Sequence, residues 1–216
     1  MARKFGRLHI PDPRDDDYQV RKCATLRLAR YWHPGGWWGD QKNEPSCVGF
    51  AWVHWLEDGP ITHRKKHPPM IDPQYLYREA QMVDMWPGER YAGTSVRARA
   101  KVLQSLGHVI EYRWIHDLET LVNAILAQGP VVMGTNWYVG MMEPEKDGWV
   151  RKTGWLLGGH AYVLNGVNIK REKFRIKNSY GRSWGKAGAA FISFDDVEAL
   201  LLEDGEACLA TENPDS

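Results

Sequence analysis

Residues 41–60 read Gln-Lys-Asn-Glu-Pro-Ser-Cys-Val-Gly-Phe-Ala-Trp-Val-His-Trp-Leu-Glu-Asp-Gly-Pro. From Cys47 to Leu56 the run of apolar and aromatic residues predicts a buried helix. Ser46 suits its N-cap, and Pro45 suits a helix start just ahead of it. Asp58-Gly59-Pro60 ends the helix, with Gly59 free to take a left-handed cap and Pro60 unable to continue. A cysteine at such a position has two readings. It can be a small core residue. Alternatively, because a helix N-terminus favours negative charge, it can be a thiol of lowered pKa and a nucleophile. The second reading needs an imidazole within reach and a third group to hold the ring.

Eight histidines are present. His33, His63 and His67 sit in loop-like sequence and His116 among charges, where solvent accounts for them. His160 differs, because it follows Gly158-Gly159 and leads the apolar run Ala-Tyr-Val-Leu. A histidine at the mouth of a buried strand is fixed in direction, and paired glycines permit close approach of another backbone. Asn178 closes a further strand-like segment in Lys177-Asn-Ser-Tyr-Gly-Arg-Ser-Trp-Gly185. It can cap a turn or orient an imidazole. Tyr180 and Trp184 can pack or shield.

Outward from these segments the chain divides. Residues 1–19 are polar, with Pro11-Asp-Pro13 and Asp15-Asp-Asp17, and read as an arm. Helices are expected from Asp72-Pro73 to Met82, from a Ser95 cap to Leu106 with Gly107 as stop, and from an Asp117 cap over Leu118–Ala127. Strands are expected at Val109–Trp114, Val131–Gly134, His160–Val167, Phe174–Lys177 and Ala189–Phe194. Helices thus fill the first half and strands the second. This segregation gives an α+β chain, a helical lobe at about 40–107 packed on an antiparallel β lobe at about 108–216. Trp32, Trp37, Trp38, Trp52 and Trp55 supply a wide aromatic core or cleft wall.

Together these segments resemble the papain-like cysteine peptidases. Gln41 stands six residues before Cys47, Gly159-His160-Ala161 is similar to that family's histidine strand, and Lys177-Asn178-Ser179-Tyr180-Gly181 with Trp184-Gly185 is similar to its Asn-Ser-Trp-Gly element. Ile71-Asp-Pro-Gln-Tyr-Leu resembles the second helix start, and Gly93-Thr94-Ser95 the substrate-binding segment. The resemblance runs from about Val20 to Phe194. It implies a two-lobed fold spanning residues 20–216, with the second lobe an antiparallel sheet or barrel and a cleft between the lobes. It further implies Cys47 as nucleophile, His160 as general acid and base, Asn178 as orienter, and Gln41 with the Cys47 N–H as oxyanion donors. Gly93, Thr94, Gly159, Tyr180 and Trp184 are implied as substrate-binding residues. No metal or cofactor is implied, and the partner is a peptide or protein substrate. A non-catalytic peptide-binding or assembly module, or an amidase or isopeptidase, would use the same residues.

The pattern also departs from the family. Glu44 and Val48 stand where a second cysteine and an aromatic residue are usual, and only about twenty residues precede the region of resemblance. Both features are similar to compact bacterial, archaeal and phage members. Lys and Arg number 28 against 27 Asp and Glu, for a net charge of +1; this argues against a dedicated nucleic-acid or anionic-membrane partner. The Arg64-Lys-Lys66 run is too short to alter that and reads as a solvated loop. No stretch is long and apolar enough to span a membrane, and residues 1–8 lack the apolar core of a signal peptide. Cys23, Cys47 and Cys208 are an odd, sparse set, so a cytoplasmic location is expected, with a Cys23–Cys208 bridge left open.

Overall fold

Asp72, Ser95 and Asp117 start their helices as read: each side-chain oxygen accepts a hydrogen bond from an N–H of the first turn. A computed structural model describes residues 3–21, 25–32, 37–61, 71–84 and 91–215. Cys23, His33, His63, His67 and the Arg64–Lys66 run lie outside the described residues. The helices are α1 (Cys47–Asp58), α2 (Pro73–Val83), α3 (Val96–Ser105), α4 (Leu118–Ala127) and α5 (Phe194–Leu202). The strands are β1 (Ala29–Tyr31), β2 (Val109–Ile115), β3 (Val131–Tyr138), β4 (Leu156–Asn168), β5 (Lys173–Lys177), β6 (Ala189–Ser193) and β7 (Glu206–Glu212).

The strands form one antiparallel sheet in the order β2-β7-β3-β4-β5-β6, with β1 also on β4. The sheet is open, with β2 and β6 at its edges, so of the two arrangements expected the chain adopts the sheet and not the barrel. Successive side chains of a strand point to opposite faces, and the two cores follow that alternation. Val132, Ala161, Val163, Cys208 and Ala210 face α1 and α3. Met133, Tyr162, Leu164, Ala207 and Leu209 face α4 and α5.

Helix α1 is buried along its whole length, against β4 and α2. Two of its tryptophans have their indole N–H groups satisfied: Trp52 donates to Val96 O at 3.1 Å and Trp55 to Pro130 O at 3.0 Å. At its C-terminal end, Asp58 accepts from the buried Lys177 ammonium at 2.9 Å and from Asn165 Nδ2 at 2.7 Å. The helix end is thereby tied to β5 and β4.

Three local expectations change. Ser46 occupies the N-cap position of α1, but its side chain makes no cap bond; its Oγ accepts instead from Gln74 on α2 at 2.9 Å. Gly59 is extended (φ −60°, ψ 154°) and not left-handed. Its lack of a side chain makes room for the Glu212 carboxylate, which a Cβ would meet at 2.4 Å. Third, α5 and β7 follow the last expected strand. β7 lies inside the sheet between β2 and β3. Buried on both faces, Glu206-Ala-Cys-Leu-Ala shows no polar alternation from which a strand could be read.

Candidate active site

Cys47 opens α1, α1 packs on β4, and β4 carries His160. Backbone N–H groups of Ala161, Gly6, Val48 and Cys47 itself act to lower the thiol's pKa. His160 is fully buried, and its Nε2 lies 2.9 Å from Asn178 Oδ1, one residue beyond the end of β5. The Ser179 N–H donates to the same Oδ1 at 2.8 Å, which fixes the amide's orientation. In the neutral ring Nε2 must therefore carry the proton, leaving Nδ1 as the free lone pair. Nδ1 makes no hydrogen bond.

Gln41 is held by the Asn178 segment. Its N–H donates to Ser179 O at 2.9 Å, its Oε1 accepts from Ser179 Oγ at 2.6 Å, and Asp40 bridges to Tyr180. Its Nε2 then has a fixed aim, donating to Glu44 O at 2.8 Å and to Lys4 O at 3.1 Å. Ser179 was absent from the sequence expectation, although it lies inside the motif that singled out Asn178.

An aromatic box encloses the imidazole. The Tyr180 ring is 5.1 Å from His160, and Trp184 meets Tyr180 edge-on at 5.8 Å while donating its indole N–H to Met142 O. Trp137 packs edge-on against His160 at 4.6 Å. Nothing in the spacing of Trp137 pointed to it. The pairing of β3 with β4, in which Thr135 faces His160, brings it there.

Residues 3–8 of the chain run along this site. Thr94 N–H donates to Gly6 O at 2.8 Å, Leu8 N–H to Thr94 O at 3.0 Å and Arg7 N–H to Gly159 O at 3.0 Å. Gly93 has φ +103°, and a Cβ there would meet Gly6 O at 2.5 Å; one on Gly159 would meet Arg7 O at 2.3 Å. Both glycines are thus required for the approach of an extended chain. The Phe5 ring stands edge-on to His160 at 6.0 Å, and the Arg3 guanidinium lies over the Tyr180 ring. Gly93, Thr94 and Gly159 therefore contact a bound peptide segment, the chain's own. Tyr180 and Trp184 line the imidazole, and Tyr180 also receives the Arg3 side chain.

The electrostatics of this closed arrangement differ from the sequence expectation of a lowered thiol pKa. Burial pushes the Cys47 thiol up, against the hydrogen bonds to its sulfur. Burial likewise lowers His160 to about 4, opposed by its bond to Asn178. Desolvation disfavours charge on both groups and outweighs the helix terminus. Burial thus favours the neutral form of each group while residues 3–8 cover them.

Among the described residues, no group of three or more His, Cys, Asp or Glu side chains is arranged to hold a metal ion, and no helix is long and apolar enough to cross a membrane. Cys208 is buried and unbridged, while Cys23 lies outside the described residues.

No protein-family model matches the sequence, and no curated protein matches it. Solved structures do. Xylellain, a cysteine protease from Xylella fastidiosa, superposes with a TM-score of 0.80 at 18% identity, over 97% of each chain. Procathepsin L2 proteinase from Tenebrio molitor larval midgut gives 0.70 at 14% identity, over 97% of this chain and 78% of that one. Bromelain protease from Ananas comosus gives 0.64 at 13%, over 86% of this chain and 99% of its own. With two helices behind an open antiparallel sheet, three before it, and this similarity along nearly its whole length, the chain has the fold of the papain-like cysteine proteases.

Proposed function

We propose that the protein is a cysteine peptidase that hydrolyses peptide bonds through an acyl-thioester on Cys47. On this reading residues 20–216 form the peptidase unit, with the cleft between a helical lobe (about 40–107) and a β lobe. The observation that carries it is the Asn178–His160 hydrogen bond, with the orientation of Asn178 fixed by Ser179 and the free imidazole lone pair at Nδ1. When a substrate displaces residues 3–8, water enters and the desolvation that keeps both groups neutral is relieved. His160 Nδ1 then takes the Cys47 proton, and Asn178 holds the imidazolium by its other nitrogen. The thiolate attacks the substrate carbonyl carbon. The developing oxyanion takes the Gln41 Nε2–H that now holds Lys4 O, together with the Cys47 N–H. His160 returns the proton to the leaving amine, and a water activated by the same imidazole breaks the thioester.

A digest of a peptide library, read by mass spectrometry, tests this. Reproducible cleavage that vanishes in Cys47→Ala is expected. Cleavage that survives Cys47→Ala, or no cleavage by the wild-type chain, would overturn it.

A further inference from the structure

Arg7 is the one charged residue of the covering segment whose side chain goes inward. Its backbone lies between Thr94 and Gly159. Its guanidinium enters a buried pocket at the start of β7, where Nε meets Glu206 Oε1 at 3.2 Å and one terminal nitrogen donates to Asp204 O at 2.5 Å. Arg7 is 6% exposed and Glu206 9%. Gly134 leaves the space for the pair, since a Cβ there would come within 2.7 Å of the carboxylate and 2.9 Å of Arg7 Nε. Val96 forms a further wall.

The segment occupies the cleft, with Lys4 O on Gln41 Nε2 and Gly6 O on the Thr94 N–H. The Gly6 backbone lies against the Cys47 thiol, where its N–H opposes the rise in the thiol's pKa. Any substrate reaching Cys47 must displace Gly6, and Arg7 with it. Glu206 would then lie in a shielded pocket without its cationic partner. A nearby cation, Arg97, is engaged by Asp12 and Asp15. A buried carboxylate left without a partner opposes whatever leaves it so. The incoming side chain that removes the penalty is a cation, and the second acceptor at Asp204 O matches the forked donors of a guanidinium better than an ammonium.

We propose that this pocket is a substrate subsite selective for arginine, with Glu206 as its specificity-determining residue and Arg7 as an internal mimic of the substrate side chain. The proposal rests on the peptidase reading for its catalytic assay but not for its binding assay. The test uses the full-length chain carrying Arg7→Ala, which vacates the pocket, and blocked peptides with Arg, citrulline, Lys, Leu or Glu fixed at one position at a time. At one position N-terminal to the cleaved bond, Arg should exceed Leu in kcat/KM on the order of 100-fold, with Lys between. Citrulline, which keeps the shape and loses the charge, should fall to the level of Leu. Adding Glu206→Gln should bring the Arg-to-Leu ratio down to within about fivefold of unity, a ratio taken within each variant so that any loosening of residues 3–8 cancels. Cleavage with no preference for Arg over citrulline, or a preference that survives Glu206→Gln, would overturn the proposal. If nothing is cleaved, the peptidase reading fails, and calorimetric binding of the same peptides to the Arg7→Ala chain decides the subsite. A Glu206-dependent preference for Arg upholds it, and binding without that preference, or no binding, refutes it.

Discussion

Lowering the pH should open the cleft, and the structure sets the size of the effect. His160 is buried under Phe5, Trp137 and Tyr180, and its pKa falls from 6.5 to about 4 chiefly through desolvation. A base whose pKa is depressed in the closed state binds fewer protons there than in the open one. The closed state is thus fully favoured above pH 6.5, and that advantage drains away as the pH falls toward 4. Taking an ordinary imidazole for the open state, the loss is about 2 kcal/mol at pH 5, or roughly 30-fold in the opening equilibrium. Hydrogen exchange at the amides of Arg7, Leu8 and Thr94 reads this directly, because their N–H groups make the bonds that seal the segment. Their protection, corrected for intrinsic rates, should drop about 30-fold between pH 7.5 and pH 5. His9, which follows the segment and is also lowered by burial, pulls in the same direction, so His160→Gln is the decisive control. In that variant the drop should shrink to the part that His9 supplies. Protection that does not change with pH, or an undiminished drop in His160→Gln, would refute the assignment of the switch to His160.

Two further outcomes follow from named contacts. Gln41→Ala should lower kcat by about 10²–10³-fold, the loss of one oxyanion donor, with single-turnover cleavage of a peptide as the measurement; a change under about tenfold would remove Gln41 from that role. Lys177→Met should destabilise the fold by about 3–5 kcal/mol, because Asp58 is left buried without its ammonium. Urea unfolding checks this, and a loss below about 1 kcal/mol would show that Asn165 alone satisfies Asp58.

Where the signal was local, the sequence could be read directly. Asp72, Ser95 and Asp117 each accept a hydrogen bond from within the next three residues, so their caps were visible without a partner element. The apolar run after Cys47 was long enough to require a buried helix. Ser46 misled because its hydroxyl has a distant alternative in Gln74. β7 escaped because a strand buried on both faces carries no alternation. For the site, Gln41, Cys47, His160 and Asn178 stood out by residue type and order. Trp137, Ser179, Arg7 and Glu206 did not, since each acquires its place through pairing across the sheet or across the cleft.

By itself, then, the sequence determined most of the helices and strands, because caps, turns and periodicity act over a few residues, and it singled out Gln41, Cys47, His160 and Asn178 as candidates. Only the tertiary structure decided that residues 3–8 lie in the cleft and that Arg7 reaches Glu206. It also decided that burial favours the neutral forms of Cys47 and His160. Desolvation and long-range pairing depend on what surrounds a group, and no local pattern records that.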